Sequence, residues 1–165
     1  MPEPGAWPAL PASLAEAGEM YEVRAWLEER IGRLAAERAD VAVVAELREL
    51  VARMWEAGLA EDAGAYYALN LQFHDRLAQL AGNGRLLVIY RRLVEDLSRY
   101  RRHTMAVGEE AFPIATREHS AVVDAIAARR PESAGRLLFR HAMKSRLRLH
   151  DALAAPVPSD AGVTR

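Results

Sequence analysis

Apolar residues recur every three or four positions along most of this chain, and this periodicity limits the fold more than any other feature. Side chains with that spacing share one face of an α-helix, whereas those of a half-buried strand would alternate between apolar and polar. The spacing is repeated in successive segments, and no segment shows strand alternation. The sequence therefore predicts an all-α protein, an antiparallel bundle of about six helices that could enclose a metal or ligand cavity.

Helix boundaries follow from the apolar stripes together with capping and breaking residues. Asp40 and the Glu61-Asp62 pair suit helix N-termini, and the glycines of Ala81-Gly82-Asn83-Gly84 suit a helix stop. The predicted helices cover residues 20–36, 41–58, 62–79, 85–102, from about 116 to the break at 129, and 132–154. Residues 104–113 are predicted to be a loop because they contain Gly108 and Pro113.

The first and fourth stripes predict which side chains are buried. The first contains Met20, Val23, Leu27, Ile31 and Leu34, and the fourth contains Leu86, Ile89, Leu93, Leu97 and Tyr100. Arg24 lies one position off the first stripe, so spacing alone predicts a solvated arginine. Opposite the fourth stripe stand Arg85, Arg91, Arg92, Arg99, Arg101 and Arg102. Such a row is typical of an exposed helix face, although contact with phosphates stays open.

Composition restricts the classes of function. At 165 residues, with 51% hydrophobic and 27% charged residues, the chain suits one globular domain. The proline-rich residues 1–12 are predicted to be an extended arm, 13–154 the helical domain, and 155–165 a mobile tail. Because 22 basic residues face 23 acidic ones, we expect no specific DNA binding by this chain alone. The absence of cysteine excludes disulfides and thiolate metal ligands, and without a membrane-spanning run we expect a cytoplasmic protein.

Three histidines lie on the predicted inward faces of three helices. His74 follows Asn70 by one turn, so both side chains leave the same face, and His119 and His141 lie on the stripes of the last two helices. Any one of them alone is more typical of a hydrogen-bonded core residue. Together, three imidazoles and an amide oxygen would hold a divalent ion such as Zn, Ni, Mn or Fe, with positions left for water or a carboxylate.

An ordered set of short motifs resembles a known family. The set comprises Tyr21-Glu22-Val23-Arg24 with Leu27-Glu28, Asn70-x-x-Phe73-His74, Ala81-Gly82-Asn83, Glu118-His119-x-x-Val122, and His141. Over about residues 19–152 the chain resembles the FCD domain, the C-terminal effector-binding domain of FadR-branch GntR transcription regulators. The resemblance implies a helical homodimer that encloses a metal, with a small carboxylate effector completing its coordination.

The resemblance also implies roles for individual residues. Asn70, His74, His119 and His141 would be the metal ligands. Arg24 matches an arginine that the family directs at the effector, and Arg102 is a weaker candidate of the same kind. Many relatives have aspartate at the position of Asn70, so this site would hold its cation less tightly.

A further departure from the family lies at the N-terminus, where the proline-rich arm replaces the expected winged helix-turn-helix. We therefore expect an effector-sensing and dimerisation domain that is separated from, or has lost, its DNA reader. Two alternatives remain open at this stage: a metalloenzyme acting on a small organic acid, and a metal-free interaction bundle. Against an enzyme, no general base is spaced into the site, since Glu118 points about 100 degrees away from His119 on a helix.

Overall fold

The structure, a computed structural model, describes the backbone of residues 14–105 and 111–154 and the side chains of residues 15–98 and 112–151. These residues form helices and no strand, which confirms the predicted all-α class. The helices are α1 (Leu14–Arg38), α2 (Val41–Leu59), α3 (Ala63–Leu80), α4 (Gly84–Met105), α5 (Ala111–Ala127) and α6 (Pro131–Ala154). No helix in this part of the chain is long and apolar enough to cross a membrane.

Side-chain caps start the helices where the sequence predicts them. Asp40 accepts a hydrogen bond from the backbone N–H of Val43 at 2.8 Å, and Asp62 accepts one from Ala65 at 2.9 Å. Each carboxylate thereby satisfies a backbone donor that has no partner within its helix. Gly82, with φ of 58°, turns the chain between α3 and α4 in the left-handed region that glycine adopts readily.

Helix α1 lies at the centre of the bundle. It packs most extensively against α6 and also contacts α3, α4 and α5. Two glycines allow the close approach to α6: a Cβ atom at Gly32 would lie 2.7 Å from the Ala134 carbonyl oxygen, and one at Gly135 would lie 2.8 Å from that of Glu29. Residues on the inward face of α1 therefore reach side chains from four other helices.

The buried face of α1 is offset by one position from the predicted stripe in the first half of the helix, whereas Ile31 and Leu34 are buried as predicted. Arg24 and Glu28 are fully buried, together with Tyr21 and Ile31, whereas Val23 is 41% exposed. The prediction of a solvated Arg24 by spacing was therefore wrong. Hydrophobic periodicity identified the apolar edge of the helix, but a buried ion pair occupies the centre of its inward face, where periodicity assigns apolar residues.

Helices α4 and α5 also differ from the predictions in face and length. Ile89, predicted to be inward, is 56% exposed, and its neighbour Tyr90 is buried instead. The predicted loop at 104–113 is too long, since α4 extends to Met105 and α5 already begins at Ala111. Pro113 is compatible with that helix start because the first N–H groups of a helix have no internal acceptor.

The remaining predictions at the ends of the chain fall outside the described residues. They concern the arm at residues 1–12 and the tail at residues 155–165. The same holds for the side chains of Tyr100 and Arg102, although the backbone of both belongs to α4.

Candidate metal centre

The structure brings the three inward histidines into one buried cluster. His74 comes from α3, His119 from α5 and His141 from α6, and all three are at least 97% buried. One nitrogen from each lies within 4.8 Å of the other two. The Nε2 atom of His119 lies 3.2 Å from the Nε2 atoms of both His74 and His141. This separation is close to that of neighbouring nitrogens bound to one ion at about 2.0–2.1 Å.

Glu28 fixes the orientation of His74 from the opposite side of its ring. Its Oε1 atom lies 3.1 Å from Nδ1 of His74 and also accepts hydrogen bonds from Arg24 Nε at 2.8 Å and the Tyr90 hydroxyl at 2.7 Å. These four side chains are almost fully buried. Since Nδ1 of His74 donates to the carboxylate, Nε2 is left with its lone pair directed at the cluster.

Glu118 fixes His141 in a similar way. Its Oε2 atom lies 2.8 Å from Nδ1 of His141, and its Oε1 atom accepts a hydrogen bond from Lys144 at 2.9 Å. Arg148 lies 3.4 Å from the same carboxylate. As predicted, Glu118 points away from the face of His119, but it reaches across to the histidine of the next helix. His141 therefore also directs an unprotonated Nε2 at the cluster.

Because His74 and His141 carry their protons on Nδ1, the cluster has too few N–H donors for its nitrogen acceptors. The Nε2 atoms of His74 and His141 are both acceptors, and Nε2 of His119 lies at hydrogen-bond distance from each of them. A single N–H on His119 Nε2 can satisfy only one of the two acceptors at a time. A divalent cation would satisfy all three lone pairs at once, so the donor set fits a metal of the kind that binds imidazole.

Burial keeps the two carboxylate-bound histidines neutral at pH 7. Removal from water lowers the pKa of His74 to about 4, despite the opposing charge of Glu28. Burial also lowers the pKa of His141, against the hydrogen bond to Glu118. Neutral imidazole is the form that ligates metals, so the protonation state required for binding is already present.

The supporting carboxylates are ionised. Burial would raise the pKa of Glu28, but Arg24 and His74 outweigh burial and hold it well below its usual range. Burial also opposes ionisation of Glu118, yet hydrogen bonds from His141 and Lys144 lower its pKa to about 2. The negative charges that orient the histidines are therefore each balanced by a nearby cation.

The other predicted site residues have different placements. Asn70 is buried one turn before His74, and its Nδ2 atom makes no hydrogen bond within the described part of the chain. The same is true of Nη1 of the buried Arg24. Both polar groups are thus held inside the bundle with unused hydrogen-bonding capacity. The Arg102 side chain lies outside the described residues, so its role stays a prediction.

Glu28, Tyr90 and Glu118 are supporting residues whose roles the sequence analysis missed. Glu28 is one turn after Arg24 on α1, a spacing that favours an ion pair and could have indicated a buried pair. Tyr90 and Glu118 reach their partners across helix interfaces, so no local spacing connects them with the histidines.

The low pKa of His74 predicts that the metal-free protein loses stability in mild acid. Because the folded value of about 4 lies below the usual 6.5, the unfolded chain binds the extra proton, and stability is lost as pH falls between these values. For His74 alone the loss is about 3 kcal/mol, or about 6–12 °C in melting temperature. Thermal melts of chelator-treated protein over this range measure it. His74→Gln should flatten the dependence of melting temperature on pH, whereas His150→Gln, at an exposed histidine, should leave it unchanged. A wild-type melting temperature that does not fall over this pH range would contradict the prediction.

Fold and site together define an all-helical domain built around a buried three-histidine cluster. The family model described as the FCD domain matches residues 19–144, and the chain belongs to this family. The resemblance found in the sequence is thereby confirmed.

Two relatives extend the comparison. The chain is 28% identical over 126 residues to the "Nta operon transcriptional regulator" of Aminobacter aminovorans, an alignment that covers 76% of this chain and 58% of the relative. It also resembles the solved structure of Streptococcus agalactiae GntR, with a TM-score of 0.68 and 22% identity, covering 84% of this chain and 62% of that one. The chain thus spans about three fifths of each relative's length, and the structural likeness shows the fold.

Proposed function

We propose that this chain is the effector-sensing and dimerisation domain of a GntR-type transcription regulator, acting in the cytoplasm, with a divalent metal ion as part of its ligand site. Asn70, His74, His119 and His141 would hold the ion, which could be Zn, Ni, Mn or Fe. The observation that carries the proposal is the convergence of three buried imidazole nitrogens, two of them fixed as acceptors by carboxylates. By itself this chain would not select a DNA sequence.

A small carboxylate is the effector that suits the charges of this site. The four proposed ligands are neutral, Glu28 is paired with Arg24, and Glu118 is paired with Lys144. The charge of a bound divalent ion would therefore be poorly compensated within the bundle, and an anionic ligand would compensate it. Arg24 also has an unused Nη1 donor with which to grip a carboxylate, and Arg102 is proposed to assist.

The carboxylates near the cluster argue against a catalytic role. A general base needs a free lone pair within reach of its substrate. Oε1 of Glu28 accepts hydrogen bonds from Arg24, His74 and Tyr90, and its Oε2 atom, which has no partner among the described residues, is buried beside the charge of Arg24, which holds the carboxylate ionised and weakly basic. Glu118 accepts hydrogen bonds from His141 and Lys144. Both acids serve to orient histidines, so we propose a binding domain and not an enzyme.

Thermal stabilisation by carboxylates tests the sensing function. Chelator-treated protein is reloaded with zinc and melted with a panel of mono- and dicarboxylates. A true effector should stabilise the fold by about 2.7 kcal/mol at one hundred times its dissociation constant. Arg24→Lys keeps a positive charge beside Glu28 but lacks the guanidinium fork, so it should retain zinc and bind the acid about tenfold more weakly. Arg30→Lys, on the exposed side of the same helix, is the matched control. A panel that leaves the melting temperature unchanged would reject the proposal.

Dimerisation is proposed to use the exposed apolar residues of α1 and α4. Trp26 is 60% exposed on α1, and Val88 is 63% exposed on α4. The two helices adjoin next to these residues, because Arg30, one turn after Trp26 on α1, lines the same groove as Val88. Exposed large apolar side chains on adjacent helices are typical of a protein interface.

Light scattering is therefore expected to report about twice the chain mass of 18.3 kDa at tens of micromolar and without DNA. The double variant Trp26→Glu/Val88→Glu should be monomeric, because it would place four charges in an apolar interface. Leu147→Glu is the control, since Leu147 is equally exposed but lies on α6. Wild-type protein that scatters as a monomer would contradict the proposal.

A further inference from the structure

A separate pocket opens on the outer side of His141, between α5 and α6. It has a volume of about 330 Å³, within the range of small-molecule sites. Its walls are Ile114, Arg117, Glu118 and Ala121 from α5 and Leu137, Arg140, His141 and Lys144 from α6. Because Nδ1 of His141 faces Glu118 while Nε2 faces His119, the imidazole separates this pocket from the histidine cluster.

The two walls combine apolar and cationic groups. On each helix the lining residues follow spacings of three and four, so they form one continuous face per helix. Ile114, 55% exposed, contributes apolar surface together with Ala121 and Leu137. Arg117 and Arg140 supply guanidinium groups at the exposed rim. Such a pocket can bind both parts of an amphipathic anion.

The charge of the pocket is not balanced internally. Within the described residues Arg117 and Arg140 form no ion pair, while Lys144 donates to Glu118 at 2.9 Å. Three cationic side chains therefore face a single carboxylate, that of Glu118, in the lining. A bound anion could contact both guanidinium groups and also compete with Glu118 for Lys144.

We propose that this pocket binds a small organic anion with an apolar body, such as an aromatic carboxylate, and that its occupation strengthens metal binding at the histidine cluster through Glu118 and His141. Anion binding here is independent of the proposed sensing function, whereas the coupling rests on the proposed metal site. The apolar wall favours an aromatic acid over acetate, which has almost no apolar surface to bury.

Anion binding should tighten metal binding, because Glu118 contacts both Lys144 in the pocket and His141 in the cluster. An anion beside Lys144 draws that ammonium group away from Glu118, which leaves the carboxylate a stronger acceptor for Nδ1 of His141. A stronger acceptor at Nδ1 makes Nε2 a better metal ligand. The added negative charge near the cluster acts in the same direction. By linkage, the metal should tighten anion binding by the same factor.

Binding to the metal-free protein tests the pocket itself. Fluorine NMR of 4-fluorobenzoate titrated with chelator-treated protein should show saturable binding that benzoate displaces and equimolar acetate does not. Arg117→Gln/Arg140→Gln should weaken binding about tenfold or more, since two charge-assisted contacts are lost. Arg53→Gln/Arg130→Gln, which removes two exposed arginines outside the pocket, should bind as wild type does. Non-saturable binding, or equal affinities of the two double variants, would overturn the proposal.

Zinc affinity, measured by competition with a chromophoric chelator, tests the coupling. Saturating benzoate should tighten zinc binding by about fivefold or more in the wild type. The effect should disappear in Arg117→Gln/Arg140→Gln and persist in Arg53→Gln/Arg130→Gln, whose arginines lie outside this pocket. Loss of the effect only in Arg24→Lys would place the benzoate at the metal and overturn the coupling. Failure of the sensing function would give a different pattern. No carboxylate of the panel would then raise the melting temperature of the zinc-loaded protein, while 4-fluorobenzoate would still bind the metal-free protein.

Discussion

Replacing Arg24 with alanine is expected to lower the free energy of unfolding by about 3–5 kcal/mol. The guanidinium is fully buried and lies 2.8 Å from the Glu28 carboxylate, which is itself 1% exposed. Removing it would leave a buried negative charge whose remaining partners are the neutral His74 and the Tyr90 hydroxyl. Urea unfolding of chelator-treated protein near neutral pH measures the loss.

A charge-neutral double variant separates the ion pair from the shape of the site. Arg24→Met/Glu28→Gln removes both charges but keeps an amide oxygen that can accept from His74 and Tyr90. It should recover most of the stability lost in Arg24→Ala, because removing a whole buried pair is much less damaging than removing one partner. Arg53→Ala, which removes an exposed arginine on α2, should stay within about 0.5 kcal/mol of wild type. A loss of similar size for Arg24→Ala and Arg53→Ala would contradict the buried pair.

Zinc is expected to stabilise the chelator-treated wild type by about 4 kcal/mol when free zinc reaches one thousand times its dissociation constant. His119 should be indispensable for this gain, since its Nε2 atom lies 3.2 Å from both other imidazole nitrogens and thus between them in the cluster. His119→Gln is therefore expected to gain almost nothing from the same zinc concentration. Chemical unfolding with and without zinc measures each gain against the variant's own metal-free state.

This comparison separates loss of metal binding from loss of packing. His119 is fully buried and its ring lies 4.8 Å from that of Phe73, so its substitution also disturbs the core. That disturbance affects the metal-free and zinc-loaded states alike and cancels in the difference. His150→Gln, at an exposed histidine, should keep the whole gain. An undiminished gain in His119→Gln would show that zinc binds elsewhere, and no gain in the wild type would remove the metal from the proposed function.

The two carboxylates beside the cluster fix the orientation of two of its histidine rings. Glu28 and Glu118 each hold one Nδ1 atom, and each is itself held by a cation, Arg24 on one side and Lys144 on the other. The histidine rings are therefore positioned before any ion binds, which reduces the ordering that binding would require. Arg24 lies on α1, the helix that contacts four others, so a ligand that engages Arg24 acts on the element with the most neighbours in the bundle.

Sequence by itself determined the helical architecture and the identity of the histidines. Periodic apolar positions and caps such as Asp40 and Asp62 act within one helix, where contacts are separated by three or four residues. The inward direction of His74, His119 and His141 follows from the same local rule. The motif that includes Arg24 drew attention to that residue even though its spacing suggested solvent.

Tertiary structure alone decided the burial of Arg24 and the partners of the histidines. Periodicity cannot distinguish a polar residue at the edge of a stripe from a buried ion pair at its centre, because the distinction depends on which charge the neighbouring helices supply. Tyr90 lies 62 residues from Glu28 in sequence, and Glu118 lies 23 residues from His141. These contacts exist because α1 packs closely on its neighbours and α5 lies against α6, arrangements fixed by the whole bundle and not by any one helix.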